Sequence, residues 1–245
     1  MGAYVYDGSF DGLICAIKTA AGDHSADITR VSPPQEGLFS RAVEVETEPQ
    51  VSAAFLRQLD ALSDPETSEK TKLCFLWNGP EKEKLLLAYA RMAFSRGKDL
   101  NDLIADPVVA KVHKAAAAVV REGHRLKGFL RFRELRDRTL YAEMKPDHNV
   151  LPLIAGHFKR RMVSSDWVIH DTARGLAALY FCGKLRLAEL DRTQPPPCSD
   201  GEKETAGLWR AFFNAVAIKE RTNPRLQQGF VPLKYRDNML EFDKD

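Results

Sequence analysis

The sequence lacks the closely spaced cysteine pairs that many metal-binding domains use. Its four cysteines, spread through 245 residues, are Cys15, Cys74, Cys182 and Cys198. Zinc ribbons and iron–sulfur sites normally contain C-x-x-C pairs, and no two of these cysteines have that spacing. We therefore expect free thiols, some of them buried as small apolar groups, and neither a cysteine-bound metal nor a cofactor.

Long hydrophobic runs are also missing. No apolar stretch approaches the roughly 20 residues that a helix needs to span a bilayer. Residues 1–7, MGAYVYD, do not combine a basic stretch with an apolar run, so they do not predict a signal peptide. Reduced thiols and the missing export signal predict a cytoplasmic protein without a membrane partner.

The net charge is low, and the common phosphate-loop and nucleophile motifs are missing. A formal charge of +2, with 44% hydrophobic and 29% charged residues, is ordinary for a globular protein and excludes no class of partner. Gly8 and Gly12 beside the first predicted strand do not form a G-x-G-x-x-G loop, and there is no G-x-S-x-G nucleophile elbow. These absences leave open whether the protein is an enzyme.

Hydrophobic periodicity predicts which segments are helices and which are strands. The predicted elements are strands at 3–6, 27–31 and 41–46 with a helix at 12–20 capped by Asp11, four helices between 50 and 123, a hairpin of 128–135 and 140–144, a helix at 148–161, a hairpin of 166–170 and 176–181, and a last helix at 202–221.

The order of these elements predicts an α+β fold, because strands and helices are segregated along the chain. Short N-terminal strands come first, followed by a central helical region, an antiparallel ββαββ block and a closing C-terminal helix. We expect one domain over residues 1–245, with sub-regions 1–123 and 124–245. The last helix is expected to bury Leu208, Trp209, Phe212, Phe213 and Val216.

A basic segment is the clearest functional signal. Between Arg121 and Arg138 there are seven Lys or Arg residues and three acids. If 128–135 is a strand, Phe129, Arg131 and Arg133 share one face, where arginines meet phosphates and an aromatic ring stacks on a base. The alternative is a solvated face with cations that stabilise helix ends. The full set of predicted nucleic-acid-binding residues is Arg125, Lys127, Phe129, Arg131, Arg133, Lys159, Arg160, Arg161, Lys219 and Arg221.

Histidines beside carboxylates are the candidates for catalysis. His148 lies just before a predicted helix, where Asp147 or Asn149 is expected to act as the cap, and its side chain titrates near neutral pH. His170 and Asp171 end a predicted strand, where the alternative is an Asx turn with a hydrogen-bonded histidine. The candidate catalytic residues are therefore His148, His170 and Asp171. A metal site formed by His148, His157 and His170 has no supporting spacing motif.

Five stretches of the sequence resemble a known family. They are residues 4–13, YVYDGSFDGL; 124–132, HRLKGFLRF; 146–152, PDHNVLP; 167–171, WVIHD; and 208–224, from LWRAFF to IKERTNP. Together they resemble an uncharacterised bacterial family labelled "probable DNA metabolism protein". Its relatives occur beside a radical-SAM DNA modification or repair protein, and some are fused to a uracil-DNA-glycosylase-like domain. The resemblance covers nearly the whole chain.

The resemblance implies a nucleic-acid-binding accessory, with DNA favoured, to a nearby DNA modification or repair enzyme. A radical-SAM or uracil-DNA-glycosylase-like protein would be its partner. Two alternatives remain: a metal-independent enzyme that acts on bases or phosphodiesters through His148 or His170, and a protein-interaction scaffold for a radical-SAM partner. The family provides no catalytic residues, and the chain itself has no C-x-x-x-C-x-x-C run for a radical-SAM cluster.

Overall fold

The computed structural model describes residues 2–30, 42–191 and 195–242. The chain divides into two compact units, Met1–Val120 and Arg121–Asp245. The described residues contain both helices and sheets, and the α+β class is confirmed. Among the helices described, none has the length and apolar character that a membrane span requires.

The first unit combines a small parallel sheet with a helical core. Its elements are β1 (Ala3–Val5), α1 (Phe10–Ala20), β2 (Asp27–Thr29), β3 (Ala42–Glu44), α2 (Pro49–Leu62), α3 (Thr67–Leu76), α4 (Lys82–Arg96), a 3-10 turn (Gly97–Asp102) and the start of α5 (Pro107–Phe129). Strand β1 lies between β2 and β3 and is parallel to both. Position 31 of the second predicted strand and position 41 of the third lie outside the described residues.

The N-terminus of α1 differs from the prediction. Ser9, not Asp11, is the N-cap: it has extended backbone angles, and its hydroxyl accepts a hydrogen bond of 2.9 Å from the Gly12 N–H. Asp11 lies inside the first turn, where its carboxylate accepts a hydrogen bond of 2.6 Å from the hydroxyl of Ser52. A serine cap two residues earlier therefore starts the helix at Phe10.

Helix α5 is longer than predicted and continues through Gly123 to Phe129. The apolar spacing explains this extension, because Val119, Leu126 and Leu130 are all buried and continue the helical period. Gly123 does not have the positive φ of a glycine that ends a helix. The predicted strand at 128–135 is therefore wrong, and only Arg133–Glu134 are strand.

The second unit contains the larger sheet. Its elements after α5 are β4 (Arg133–Glu134), β5 (Leu140–Met144), α6 (Leu151–Arg161), β6 (Trp167–Asp171), β7 (Leu176–Phe181), β8 (Lys184–Glu189), α7 (Asp200–Val216), a 3-10 turn (Lys219–Arg221), α8 (Pro224–Phe230) and two 3-10 turns (Leu233–Asn238 and Leu240–Phe242). The strand order is β4-β5-β6-β7-β8. Three of the four pairings are antiparallel, whereas β5 and β6 are parallel and are connected through α6.

Strand β8 is absent from the prediction although the sequence contains its signal. Cys182 and Gly183 separate β7 from β8, and both have positive φ, 48° and 78°. Two such residues in succession make the tight turn that suits a two-residue hairpin. A cysteine is an unusual first residue for this turn, which is why the hairpin was missed.

The two faces of the large sheet have different neighbours. Helix α6 covers one face, where Phe158 packs edge-on against Trp167, and Trp167 stacks on Tyr180 with ring centroids 5.2 Å apart. Because strand side chains alternate, the neighbouring positions Tyr141 and His170 lie on the opposite face. The two faces therefore carry an aromatic core and a row of polar side chains.

The C-terminal helix is shorter than predicted, and most of its apolar side chains are not buried. Helix α7 ends at Val216, before the predicted end at 221, and Asn223 is the N-cap of α8. Within the described residues, Leu208 is 66% exposed, Phe212 58% and Val216 57%, so their predicted burial is wrong. Periodicity predicts which side chains share a face, but not what covers that face.

Candidate nucleic-acid interface

Helices α5 and α6 pack against each other and place basic side chains side by side. The contact is close at Gly123, which is buried, and a Cβ atom there would lie 3.7 Å from the Leu153 side chain. Lys127 and His157 each lie one helical turn beyond this contact. The two helices therefore bring residues 30 positions apart onto one surface.

Lys127, Arg160 and Arg161 lie near enough to His157 for their charges to act on its imidazole, and we call these four residues the basic patch. Burial and, next, the positive charges of Lys127, Arg161 and Arg160 lower the pKa of His157 below its ordinary value. Cations shift a pKa only when they are near. The patch is thus one electrostatic cluster that spans two helices.

The cations of the basic patch differ from other cations of this unit in their partners. Lys234 pairs with Glu122, and Arg174 pairs with Asp171 at 3.0 Å. Among the residues that the structure describes, no ion pair joins Lys127, Arg160 or Arg161 to a carboxylate. Like charges without a counter-charge attract anions from solution. Arg125 on α5 and Lys159 on α6 are exposed on the same two helices.

Phe129 and Arg131 do not lie on an open strand face as predicted. Phe129 is the last residue of α5, and its ring packs against Tyr235 with centroids 5.5 Å apart. The Arg131 guanidinium lies 2.6 Å from the carboxylate of Glu241 and above the ring of Trp209. Both side chains therefore contact the C-terminal segment, because the helix continues where a strand was predicted.

The remaining predicted cations lie apart from this contact. Arg133 is on β4, where it pairs in register with Tyr141. Arg221 ends a 3-10 turn and is exposed. The side chain of Lys219, in the same turn, lies outside what the structure describes.

His148 lies at a hydrogen-bonded loop beside Glu122. The buried carboxylate of Glu122 accepts hydrogen bonds from the backbone N–H groups of Asp147 and His148, at 2.9 and 2.8 Å. It also accepts hydrogen bonds from Tyr235 at 2.7 Å and from Lys234 at 3.2 Å. Burial lowers the pKa of the His148 imidazole, although the nearby carboxylates oppose this shift.

The predicted cap of the helix after His148 is wrong. Helix α6 begins at Leu151 behind Val150, and no side chain caps it. The carboxylate of Asp147 forms an ion pair with Lys234 instead. Pro152 lies in the first turn, where its missing N–H removes one of the donors that a cap would satisfy.

His170 and Asp171 have separate surroundings on the two faces of the sheet. The hydroxyl of Tyr141 lies 2.7 Å from His170 Nδ1, and His170 Nε2 lies 3.1 Å from the carbonyl oxygen of Leu190. Asp171 accepts a hydrogen bond from the Ala173 N–H, which is an Asx turn. Burial raises the pKa of Asp171, although its ion pair with Arg174 opposes this shift.

The histidine metal site has no counterpart within the described ranges, where no three His, Cys, Asp or Glu side chains converge on a common point. The four cysteines are all free thiols; Cys15 and Cys74 are buried. The sequence did not predict several polar residues that lie next to the candidate catalytic residues. One of them had a visible signal: Glu122 occupies a buried position between Val119 and Leu126 of the α5 apolar stripe.

Comparison with known protein families finds one family that matches this chain. The model of a family described as a domain of unknown function, DUF4130, matches residues 80–241. No curated protein and no solved structure matches the chain. The matched range contains α5, α6 and the whole large sheet, and therefore the basic patch.

Proposed function

This chain belongs to the DUF4130 family, and we propose that it binds nucleic acid, with DNA favoured, through the basic patch of α5 and α6. In this role it is an accessory to a DNA modification or repair enzyme. The preference for DNA and for such a partner comes from the resemblance of its sequence stretches to a DNA metabolism family.

The observation that carries the proposal is the positive charge of Lys127, Arg160 and Arg161 near His157. Within residues 2–30, 42–191 and 195–242 these three cations form no ion pair with a carboxylate. Burial and the three nearby positive charges disfavour protonation of His157 in the free protein, which lowers its pKa. A phosphate backbone would supply the missing negative charge and release counterions as it binds. Arginine guanidinium groups also match phosphate oxygens with paired hydrogen bonds.

The competing explanation is that these cations only stabilise the helix ends. Arg160 and Arg161 are in the last turn of α6, and Lys127 is in the last turn of α5. Cations there interact favourably with helix C-termini, by about 0.3–1 kcal/mol each at exposed positions. The two explanations differ in what a substitution changes: nucleic-acid affinity in the first, and the free energy of unfolding in the second.

A catalytic role for His148 or His170 has less support. His170 is 1% exposed, and both of its ring nitrogens have hydrogen-bonding partners in the protein. The backbone N–H of His148 is used to bind Glu122. The arrangement of His170 does not present its imidazole to a phosphodiester without rearrangement, so for this residue binding is favoured over hydrolysis.

The test is binding of labelled single-stranded and duplex oligonucleotides, measured by fluorescence anisotropy. The variant Lys127→Ala/Arg160→Ala/Arg161→Ala is compared with Lys184→Ala/Arg186→Ala/Lys203→Ala, whose exposed cations lie on β8 and α7. Both variants change the net charge equally. The proposal expects the first to lose most of the affinity and the second to retain it. Equal losses in the two variants would indicate a general charge effect, and no binding by the parent would leave the scaffold role.

A further inference from the structure

A carboxylate of the C-terminal segment covers the guanidinium of Arg131. Arg131 Nη2 lies 2.6 Å from Glu241 Oε1, and Arg131 Nε lies 3.2 Å from Glu241 Oε2. This two-point contact is the geometry in which an arginine also binds a phosphate group. Glu241 therefore occupies the edge of Arg131 that would otherwise be open to an anion from solution.

The same guanidinium is held in place by contacts that do not involve this edge. Arg131 Nη1 donates hydrogen bonds to the carbonyl oxygens of Gly128 and Leu130, at 2.9 and 3.2 Å. The guanidinium also lies over the ring of Trp209, 5.8 Å from its centroid. Because these contacts leave Nε and Nη2 free to bind Glu241, the edge would keep its direction if the carboxylate moved away.

Glu241 is an anion in an almost closed position. Its side chain is 3% exposed, and Oε2 also accepts a hydrogen bond of 3.1 Å from the indole N–H of Trp209. Burial alone would raise the pKa of Glu241, but the hydrogen bond from Arg131, a backbone hydrogen bond and the bond from Trp209 outweigh it and lower the pKa. An ionised carboxylate thus lies where phosphate oxygens would bind.

We call residues 233–242 the strap, and its two ends are attached differently. At the first end, the hydroxyl of Tyr235 donates to the buried carboxylate of Glu122 at 2.7 Å. At the other end, the turn Leu240–Phe242 is held by the carboxylate contact described above and by its phenyl ring, which packs edge-on against Phe213. Within the part of the chain that the structure describes, no backbone hydrogen bond joins this turn to α5 or α7. The outer end can therefore open locally while the inner end stays in place.

Arg131 directly follows the helix end that carries one cation of the basic patch. The Leu130 N–H donates a hydrogen bond of 3.0 Å to the carbonyl oxygen of Leu126, so helical hydrogen bonding continues to the residue before Arg131. Lys127 precedes Arg131 by four residues, which is about 6 Å along a helix. Each nucleotide of a strand carries a phosphate, so a strand bound at Lys127 brings further phosphates near Arg131.

We propose that Glu241 is a built-in phosphate mimic, which occupies Arg131 in the free protein and is displaced when nucleic acid binds the basic patch. The inference rests on the proposed nucleic-acid function and adds its regulation. Phosphate oxygens replace the carboxylate oxygens at Nε and Nη2, and Glu241 moves into solvent, so neither charge is left buried without a partner. Because the ion pair must be broken first, the strap weakens nucleic-acid binding.

The first test is proton–nitrogen NMR of the full chain, observing the indole N–H of Trp209 while a single-stranded oligonucleotide is added. The chain has three tryptophans, and Trp209→Phe identifies the signal by its loss. The oligonucleotide should shift this signal, because its carboxylate acceptor leaves. Binding to the parent without any shift of the signal would overturn the inference. This test needs no substitution at Glu241, so it holds even if variants of the strap fold poorly.

The second test compares the oligonucleotide affinities of Glu241→Ala and Asp237→Ala. Asp237 is an exposed acid of the strap, and within the described ranges it forms no ion pair, so both variants remove one negative charge from the same segment. Glu241→Ala should raise the affinity about tenfold, because no charge-assisted hydrogen bonds are broken before binding. Asp237→Ala should raise it about twofold or less. Adding Arg131→Met to Glu241→Ala should abolish the gain. Equal effects of the two alanine variants, or a gain that persists without Arg131, would overturn the inference.

The triple basic-patch variant, measured in parallel, separates this inference from the proposed function. If binding is lost in that variant but is affected by neither Glu241→Ala nor any change at Trp209, the proposed function stands and the strap has no part in it. If neither the parent nor Glu241→Ala binds an oligonucleotide, both proposals are wrong.

Discussion

The carboxylate of Glu122 accepts a hydrogen bond of 2.7 Å from the hydroxyl of Tyr235, which lies 113 residues further along the chain. The same carboxylate binds two backbone N–H groups of the loop before α6 and the ammonium of Lys234. One buried acid on α5 thus binds both the loop at His148 and the C-terminal segment to this helix.

Substitution of Glu122 is expected to be strongly destabilising. Glu122→Ala leaves two backbone donors and Lys234 without their acceptor, and we expect a loss of about 3–5 kcal/mol in the free energy of unfolding. Tyr235→Phe removes one bond and should cost about 1–2 kcal/mol. Urea denaturation measures both. A Glu122→Ala variant as stable as the parent would contradict the central position of this acid.

Acid is expected to weaken the same network. Burial alone would raise the pKa of Glu122, but the bonds from Asp147, Tyr235 and His148 and the charge of Lys234 outweigh it and lower the pKa. A lowered pKa in the folded state contributes stability that is complete above the unfolded value of about 4.3 and is lost as pH falls through the folded value. Glu122→Gln should therefore show a smaller decrease in stability with acid than the parent. If the free energy of unfolding depended on pH identically in Glu122→Gln and in the parent, ionisation of Glu122 would not contribute to stability.

His157 is expected to gain a proton when nucleic acid binds. Burial and the neighbouring cations lower its pKa in the free protein, and phosphate oxygens on those cations would favour the imidazolium. The pKa of His157 should rise in the complex, so that binding strengthens as pH falls through the range in which histidine titrates. An NMR titration of His157 with and without oligonucleotide measures this, and His157→Gln is the control that should lose the pH dependence. An unchanged pKa would place the nucleic acid elsewhere.

The thiols should differ sharply in reactivity. Burial raises the pKa of Cys74 to about 12, and Cys15 is buried as well, whereas Cys182 is exposed in the turn between β7 and β8. Because the thiolate is the reactive form, a disulfide reagent should modify Cys182 quickly in the folded protein and Cys74 only after unfolding. Quenching the labelling reaction at successive times and analysing the peptides by mass spectrometry identifies each modified cysteine. Rapid labelling of Cys74 would show that α3 opens readily.

The sequence was sufficient to predict the fold class and much of the order of helices and strands. This is because the spacing of apolar residues reflects the repeat of the helix or strand that carries them. The hairpin of β6 and β7 was placed within one residue at each strand end, since Thr172 to Gly175 form an evident turn between alternating segments. The error at 128–135 arose where Gly123 suggested a helix end. Burial of Leu126 and Leu130 by tertiary packing continued the helix instead.

The candidate sites were less predictable, because they depend on contacts between distant segments. Lys127 and Arg161 are 34 residues apart, and only the packing of α5 on α6 shows that both act on His157. The pairing of Arg131 with Glu241 has no local signal, since 110 residues separate them. The contact of Tyr141 with His170 depends on the register of β5 and β6, which the sequence could not supply.

The most direct test of the basic patch is the salt dependence of oligonucleotide binding. If phosphates bind Lys127, Arg160 and Arg161, the logarithm of affinity should fall linearly with the logarithm of salt concentration, by about 0.7–0.9 per phosphate contact. The triple alanine variant should flatten this slope by about two to three, whereas Lys184→Ala/Arg186→Ala/Lys203→Ala should keep the slope of the parent. Salt-independent binding, or a patch variant with the parent's slope and affinity, would contradict the account.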